Sequence, residues 1–350
     1  MRAHRMLYAA AVVLVASIRA AQSEESRPVE EYVLGVSYLA ALSSSVDAEG
    51  DIRRLARLGY NHLWIWATYD VPSAQEASMV DKNGKIRKGP AARLDAIIGL
   101  AGANGMTINL TLDPEMHVPM WRGKTPPFET YENAVRNVAK WLRANANYKR
   151  YQNVTVNVCN ECVINWRRGV TGEGVTKLMK HYGGRDLAEH PAVAIQELFD
   201  AANEGPGNPI RVFVSLGFPD EAVPKAQAAA LYRALMPYGG RLLAAPHFDR
   251  TCADWYKKTG ERIREFRNLL GVDADIYLQE ENRRHYKKIQ CDIQVEHYKT
   301  AACQAKQEGA WGWNFQSQAG FGESDSFFGG LDSIEKEAVE TLPAGLTECP

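Results

Sequence analysis

Val154-Thr155-Val156-Asn157-Val158-Cys159 is a short, uncharged run that stops at Asn160-Glu161. Branched side chains suit the pleated backbone, and a nearly continuous apolar run is expected of a strand covered on both faces, as in a parallel sheet. A second run, Ile276-Tyr277-Leu278-Gln279, stops at Glu280, 119 positions beyond Glu161. Working outward, runs of the same kind recur. The eight strand candidates are 33–38, 62–67, 107–112, 154–159, 211–216, 241–245, 275–279 and 309–315.

One-sided helical patterns fill the gaps. Residues 51–58 carry Ile52, Leu55 and Leu58; 90–101 carry Leu94, Ile97 and Ile98; 131–142 carry Val135, Val138, Trp141 and Leu142. Further patterns cover 191–201 and 261–270. Gly59, Gly105 and Gly271 stand just past three of these helices, where a left-handed cap residue is wanted. Strands alternating with helices predict a parallel sheet, and eight such units in about 315 residues predict an α/β protein of the (β/α)8 TIM-barrel type. The competing architecture, an open doubly wound sheet, usually carries a glycine-rich turn after its first strand. Here that turn reads Leu39-Ala40-Ala41-Leu42-Ser43. No linker or repeat interrupts the pattern, so residues 24–350 are expected to form a single catalytic domain.

Residues 1–23 have the layout of a signal peptide: Arg2 and Arg5, an apolar run from Leu7 to Ile18, then small residues ending at Ser23. Cleavage there would remove Arg2, Arg5 and Arg19 and no acid, moving the formal charge from −1 to −4. The expected location is secreted or periplasmic. No basic stripe remains for nucleic acid, and after Ile18 no apolar stretch is long enough for a membrane. A monomer is expected. No cofactor and no metal is expected. The Cys159-x-x-Cys162 spacing has no second metal-spaced pair, and Asp113-Pro114-Glu115-Met116-His117 reads as a cleft wall or a solvated loop before it reads as a metal cluster.

In barrels of this type the active site sits at the C-terminal ends of the strands. The long connections after strands 2, 4 and 8 all lie there. Two carboxylates leaving strands 4 and 7 at that face suit glycosidic cleavage, which needs one acid to protonate the leaving oxygen and one carboxylate to attack the sugar.

The order of these residues resembles the retaining (β/α)8 glycoside hydrolases of clan A, which include cellulases and mannanases. That resemblance implies Glu161 as acid/base, Glu280 as nucleophile and Asn160 as a binder of the sugar 2-hydroxyl. It also implies His247 as the site histidine and Trp313, in Gly309-Ala310-Trp311-Gly312-Trp313-Asn314-Phe315, as the floor of the cleaved-sugar subsite. Glu281 is the rival nucleophile, since neighbours on a strand face opposite ways; Tyr277 and Gln279 share a direction if the strand is regular. Asp113 and Trp66 are further candidates for substrate contact. Trp64 and Trp66 share a face, which suits either barrel core or sugar stacking.

Three positions depart from the cellulase-like pattern. Trp64 stands for a strand-2 arginine, Asp113 for a strand-3 histidine, and Asp249 for a strand-6 tyrosine. They imply another family of the clan, or a catalytically inactive carbohydrate-binding barrel. Arg283, Arg284 and His285 could supply the missing arginine or form a charged loop. Chance sequons occur at Asn109 and Asn153, inside strands expected to be buried. Barrel order suggests disulfides Cys252–Cys291 and Cys303–Cys349, with Cys159 reduced.

Overall fold

The computed structural model describes residues 32–68, 77–112, 128–160, 191–206, 210–215, 243–244, 254–270, 275–279, 283–286, 289–290, 292–322 and 324–349. From Val33 onward they belong to one compact unit. The expected leader and its cleavage point, residues 1–23, lie outside the described residues.

All eight expected strands form. They are β1 (Val33–Ser37), β2 (His62–Trp66), β3 (Thr107–Thr111), β4 (Val154–Asn160), β5 (Val212–Ser215), β6 (Leu243–Ala244), β7 (Tyr277–Leu278) and β8 (Gly312–Phe315). They pair in parallel in the order β6-β5-β4-β3-β2-β1-β8-β7. Among the described residues no ladder joins β6 to β7. Parallel neighbours need crossovers, and helices supply them. In chain order these are α1 (Ala48–Leu58), α2 (Lys88–Ala103), α3 (Phe128–Ala144), α4 (Ala146–Tyr151), α5 (Pro191–Asn203), α6 (Thr259–Leu270), α7 (Val295–Gln307) and α8 (Ser333–Gly345). A short antiparallel hairpin, His285–Tyr286 with Ile289–Gln290, lies between β7 and α7. Among the described residues no helix is long and apolar enough to cross a membrane.

Local chemistry sets the helix ends. Asp47 caps α1 by accepting from the Gly50 amide, so α1 starts three residues before the apolar pattern does. Gly59 ends it at φ 103°, in the left-handed region. Gly105 also takes a positive φ, after α2; Gly271 lies outside the described residues. The turn of α4 was not expected from sequence. Asn145 nucleates it by accepting from the Tyr148 amide. Asp332 and Glu335 form a reciprocal capping box on α8.

The sheet is curled. Gln279, the residue after β7, hydrogen-bonds Asn109 of β3 and Asn160 of β4. In the pairing order β7 is five strands from β4, a separation of roughly 24 Å if the sheet were flat. The β7 edge is therefore brought round until it faces β3 and β4 across an interior.

Register fixes which residues line that interior. Gly35 pairs with His62 and Asn314, Trp64 with Ser37 and Asn109, and Gly312 with Val33 and Tyr277. Partners in a parallel ladder share a face. The opposite face carries Leu34, Val36, Leu63, Ile65, Ile108, Leu110 and Leu278, all buried. It packs on the helices: Phe315 of β8 meets Tyr298 of α7 with ring centroids 4.9 Å apart. Asn109 and Asn153, the sequon asparagines, are both buried, and Asn153 donates to Ile98 and Met106 carbonyls.

At the N-terminal ends of the strands the interior is plugged by rings. His62 lies 5.1 Å from Tyr277 and 5.8 Å from Trp311, and Tyr277 lies 5.3 Å from Trp311, all edge-on. His62 Nδ1 pairs with Thr107 Oγ1 at 2.7 Å. Burial, helped by the nearby Arg211 charge, pushes the His62 imidazole down to about 3.

Cys303 of α7 and Cys349, beyond α8, form a disulfide across 46 positions, as the order of the units suggested. Cys252, Cys291 and Cys162, and the side chain of Cys159, lie outside the described residues. Lys306 also donates to the Leu346 carbonyl at 2.8 Å and Lys299 pairs with Glu348 at 3.3 Å, so three links among the described residues hold the chain end to α7.

Two outcomes follow for stability. Cys303→Ser should lower it by about 2–4 kcal/mol, read as a fall in unfolding midpoint that added reductant reproduces in wild type. His62 should contribute an acid limb. The unfolded imidazole takes a proton below 6.5 while the folded one stays neutral to about 3. Stability is thus complete above pH 6.5 and falls on acidification, by about 1.4 kcal/mol per pH unit in that window. Urea unfolding of His62→Gln at pH 7, 6 and 5 should show a shallower fall than wild type.

Candidate active site

β4 does not run evenly to its end. Asn157 pairs with Phe213 and Asn160 with Ser215, so three steps on β4 match two on β5. The extra residue is a bulge, which reverses the alternation of faces. Without it Asn160 would share the helix-facing side of Val156 and Val158. With it Asn160 returns to the interior, 2% exposed.

There it meets β7. Gln279 Nε2 donates to Asn160 Oδ1 at 3.2 Å, and Asn109 Nδ2 donates to Gln279 Oε1 at 3.3 Å. Thr111 Oγ1 donates to Asn109 Oδ1 at 3.3 Å, and Trp64 Nε1 to Thr111 Oγ1 at 2.8 Å. On the far side, Asn314 Nδ2 donates to Ser37 Oγ at 2.6 Å and to the Gln279 carbonyl at 3.1 Å. Tyr277 donates its hydroxyl to Asn314 Oδ1 at 3.0 Å. Six strands thus contribute to one buried polar network. Each buried amide would be costly unpaired, and the network answers that requirement.

Gly35 makes room for it. A Cβ there would lie 2.6 Å from Asn314 Oδ1 and 2.7 Å from the Tyr277 hydroxyl. Gln316, one residue past β8, is buried, and its Oε1 has no hydrogen-bond partner among the described residues. The loop after β8 is anchored by Asp51 of α1, which accepts from Tyr38 Oη and from the Phe327 amide, each at 2.6 Å. Burial raises the Asp51 carboxyl above its ordinary range, against the pull of those two donors.

Of the residues expected at a site, the structure brings Asn160 into the interior at the C-terminal end of β4. Trp66 also faces the interior at the end of β2, 4% exposed and packed edge-on to Trp64 at 5.8 Å. Trp313 departs from expectation. Asn314 takes the interior position, so Trp313 lies on the helix-facing side with Phe315, 1% exposed. The floor of a sugar subsite would need the other face. Glu161, Glu280, Glu281, His247, Asp113 and His117 lie outside the described residues.

Tyr277 and Gln279 share the interior, as a regular strand requires. Arg284 and His285 pair instead with Asp332 at 2.7 and 2.8 Å, tying the hairpin to the start of α8, while Arg283 lies over the Phe321 ring at 4.5 Å. Burial pushes the Asp332 carboxyl up, but the Glu335 amide, Arg284 and His285 outweigh it and hold it at about 2. His285, Asp332 and Glu335 bring potential metal-ligand atoms within 4.8 Å of one another. The salt bridge from Arg284 and the capping role already account for the Asp332 oxygens.

Sequence reasoning missed Gln279, Asn109, Asn314, Ser37 and Thr111 as members of this network. The available signal was a polar residue at every second position inside otherwise apolar runs.

No protein-family model matches the chain, and no curated protein does. Solved structures do. The fold is similar to a glycoside hydrolase family 5 enzyme from Prevotella bryantii B14, with TM-score 0.59 and 13% identity over 91% of this chain and 96% of that one. It is similar to a broad-specificity endoglucanase of the same family from an uncultured bacterium, with TM-score 0.58 and 12% identity over 91% and 94%. A third, from Bifidobacterium longum subsp. infantis, gives TM-score 0.60 and 12% identity over 89% and 78%. At these identities the likeness shows a shared fold.

Gly35→Ala tests the network as a unit. The added methyl would strike Asn314 and Tyr277 together, and we expect a loss of about 1–3 kcal/mol from overpacking. A loss of the same size in Gly89→Ala, exposed in the first turn of α2 with the Arg93 guanidinium 3.8 Å from the added methyl, would show that the strain is not specific to the interior.

Proposed function

We propose that this chain is a glycoside hydrolase, built as a closed (β/α)8 barrel, that cleaves a β-linked oligo- or polysaccharide with retention. The observation that carries this reading is the hydrogen bond from Gln279 to Asn160. It ties together the residues that immediately precede Glu280 and Glu161, across the interior of a fold shared with glycoside hydrolases. Retaining chemistry needs carboxyl groups about 5–5.5 Å apart, one from each side of the scissile bond.

In this mechanism Glu280 attacks the anomeric carbon as Glu161 gives its proton to the departing oxygen. A glycosyl enzyme results. Glu161, now a carboxylate, takes a proton from water, and the hydroxide equivalent displaces Glu280 with a second inversion. Asn160 holds the sugar beside the reacting carbon. Two neighbours of the same fold were solved with sugars: the Prevotella bryantii enzyme with a xyloglucan tetradecasaccharide, and a Bifidobacterium longum subsp. longum enzyme with Manβ1-4GlcNAc. A β-linked glycan is the class we assign here. Export to the cell exterior or periplasm accompanies this reading, supported by the leader-like segment and the disulfide.

One observation favours a second reading, a carbohydrate-binding barrel without turnover. Trp64 fills the position of the strand-2 arginine and is 0% exposed, bonded to Thr111. A panel of aryl β-glycosides separates the two, since binding without release of the aglycone would support the second.

The two glutamates should fail differently. Glu280→Ala should abolish both half-reactions. Glu161→Ala should spare the first step on an activated aryl glycoside, so that glycosyl enzyme accumulates. Azide should then restore its turnover and give a β-glycosyl azide, whereas azide with Glu280→Ala should give the inverted anomer. Wild-type rates in both variants on every active substrate would remove the assignment.

A further inference from the structure

At the start of α8 a buried carboxylate is short of a partner. Glu335 is 1% exposed. Its Oε2 accepts from the Asp332 amide at 3.2 Å, but its Oε1 has no hydrogen-bond partner among the described residues. A buried carboxylate oxygen is costly to leave bare, and buried charges are normally paired or bound to a cation. Burial raises the Glu335 carboxyl above its ordinary range, outweighing the Asp332 amide; the Asp332 charge adds to the rise, and His285 and Arg284 oppose it. Asp332 is better supplied. Its Oδ1 accepts from the Glu335 amide at 2.8 Å, and its Oδ2 from Arg284 and His285 at 2.7 and 2.8 Å. Two carboxylates thus face one guanidinium. One ligand atom from each of His285, Asp332 and Glu335 lies within 4.8 Å of the other two. The His285 side chain is 47% exposed and that of Asp332 28%, so an ion can enter from solvent past the hairpin.

We propose that His285, Asp332 and Glu335 form a binding site for a divalent transition cation of the zinc kind, which fastens the hairpin after β7 to the start of α8. One imidazole and two carboxylates make a zinc set, with water in the fourth tetrahedral position. Calcium and magnesium would want oxygen from every ligand. Glu335 supplies the oxygen that has nothing else to bind. Asp332 keeps Arg284 and its capping bond, because a carboxylate has about four lone-pair sites and these two bonds use two of them. His285 releases Asp332, moves its ring proton from Nε2 to Nδ1 and binds through the freed Nε2 lone pair. Around zinc at about 2.0–2.2 Å the ligand atoms stand roughly 3.3 Å apart, a spacing that rotation of the exposed imidazole can reach. The ion also turns the repulsion between the two carboxylates into a shared attraction. None of the three residues takes part in the glycosidase mechanism, so the site stands or falls apart from that reading.

The test is calorimetric titration of the chelator-treated protein with Zn2+. Wild type should take up a Zn2+ that neither His285→Ala nor Glu335→Gln takes up with comparable affinity. Each variant should weaken that uptake by at least the about 10–100-fold that loss of a mere outer-shell partner costs. Glu335→Gln keeps the side-chain size and an acceptor for the Asp332 amide, so it removes the charge with little else. Mg2+ and Ca2+ at the same concentration should not compete. No Zn2+ uptake by wild type overturns the proposal. Uptake unchanged in both variants places the ion elsewhere and overturns it too. Loss in His285→Ala alone would leave Glu335 out, and with it the three-ligand site.

A second readout needs only wild type and the exposed position. The imidazole resonances of His285, identified by their loss in His285→Ala, should shift as Zn2+ is added. The unfolding midpoint of wild type should rise with Zn2+ concentration, because the folded chain alone holds the three ligands together, and that of His285→Ala should not. Should Glu335→Gln not fold, these two measurements decide. Unshifted resonances, or an equal rise in midpoint for wild type and His285→Ala, overturn the site.

Discussion

The interior of the sheet is held by amides. In closed (β/α)8 barrels bulky branched side chains fill the interior in layers. Here the middle of the interior is occupied by Asn109, Asn160, Gln279 and Asn314, with Ser37 and Thr111 between them. Hydrocarbon cores tolerate small misfits because contacts are non-directional. An amide network does not, since a donor turned the wrong way leaves its neighbour unpaired in a low-dielectric space. The curl of the sheet, the bulge in β4 and the absence of a side chain at Gly35 all serve one requirement: that these groups meet in register.

That requirement is met between two well-packed boundaries. Below it, His62, Tyr277 and Trp311 close the N-terminal end, and the neutral state of His62 keeps a charge out of the plug. Around it, the helix-facing sides of the strands present aliphatic and aromatic residues to the helices. The segment after β7 is secured separately, through Arg284 and His285 on Asp332 and through Cys303–Cys349 at the chain end. Beside the interior network, the connection after β8 is fastened to α1 by Asp51.

The strands were legible because each is a short uncharged run bounded by helical periodicity, and this holds even for β6, of which two residues are paired. The helices were legible where one face was apolar; α4 was not, because six residues are too few to show a period. The place of Asn160 at the end of a strand was legible. Its neighbours in the network were not. Asn109 and Asn314 look like ordinary polar interruptions until register shows that they share an interior with Gln279. Trp313 was assigned to the wrong face for the same reason: parity along β8 is set by Gly312 and Asn314, and nothing in the local run distinguishes the two phases. The bulge had no residue signature at all.

The irregularity between Asn157 and Asn160 has a consequence for how this chain can vary. Everything before it obeys one parity and everything after it the other, so the end of β4 is specified by a count of residues as much as by their identity. A substitution between those two positions leaves the count intact. A single-residue deletion would exchange the two faces of the strand end, sending Asn160 toward the helices and breaking its bond to Gln279 at a stroke. Point changes and length changes in this short segment are therefore unequal kinds of variation. Related chains would be expected to differ freely in letters there, and not in length.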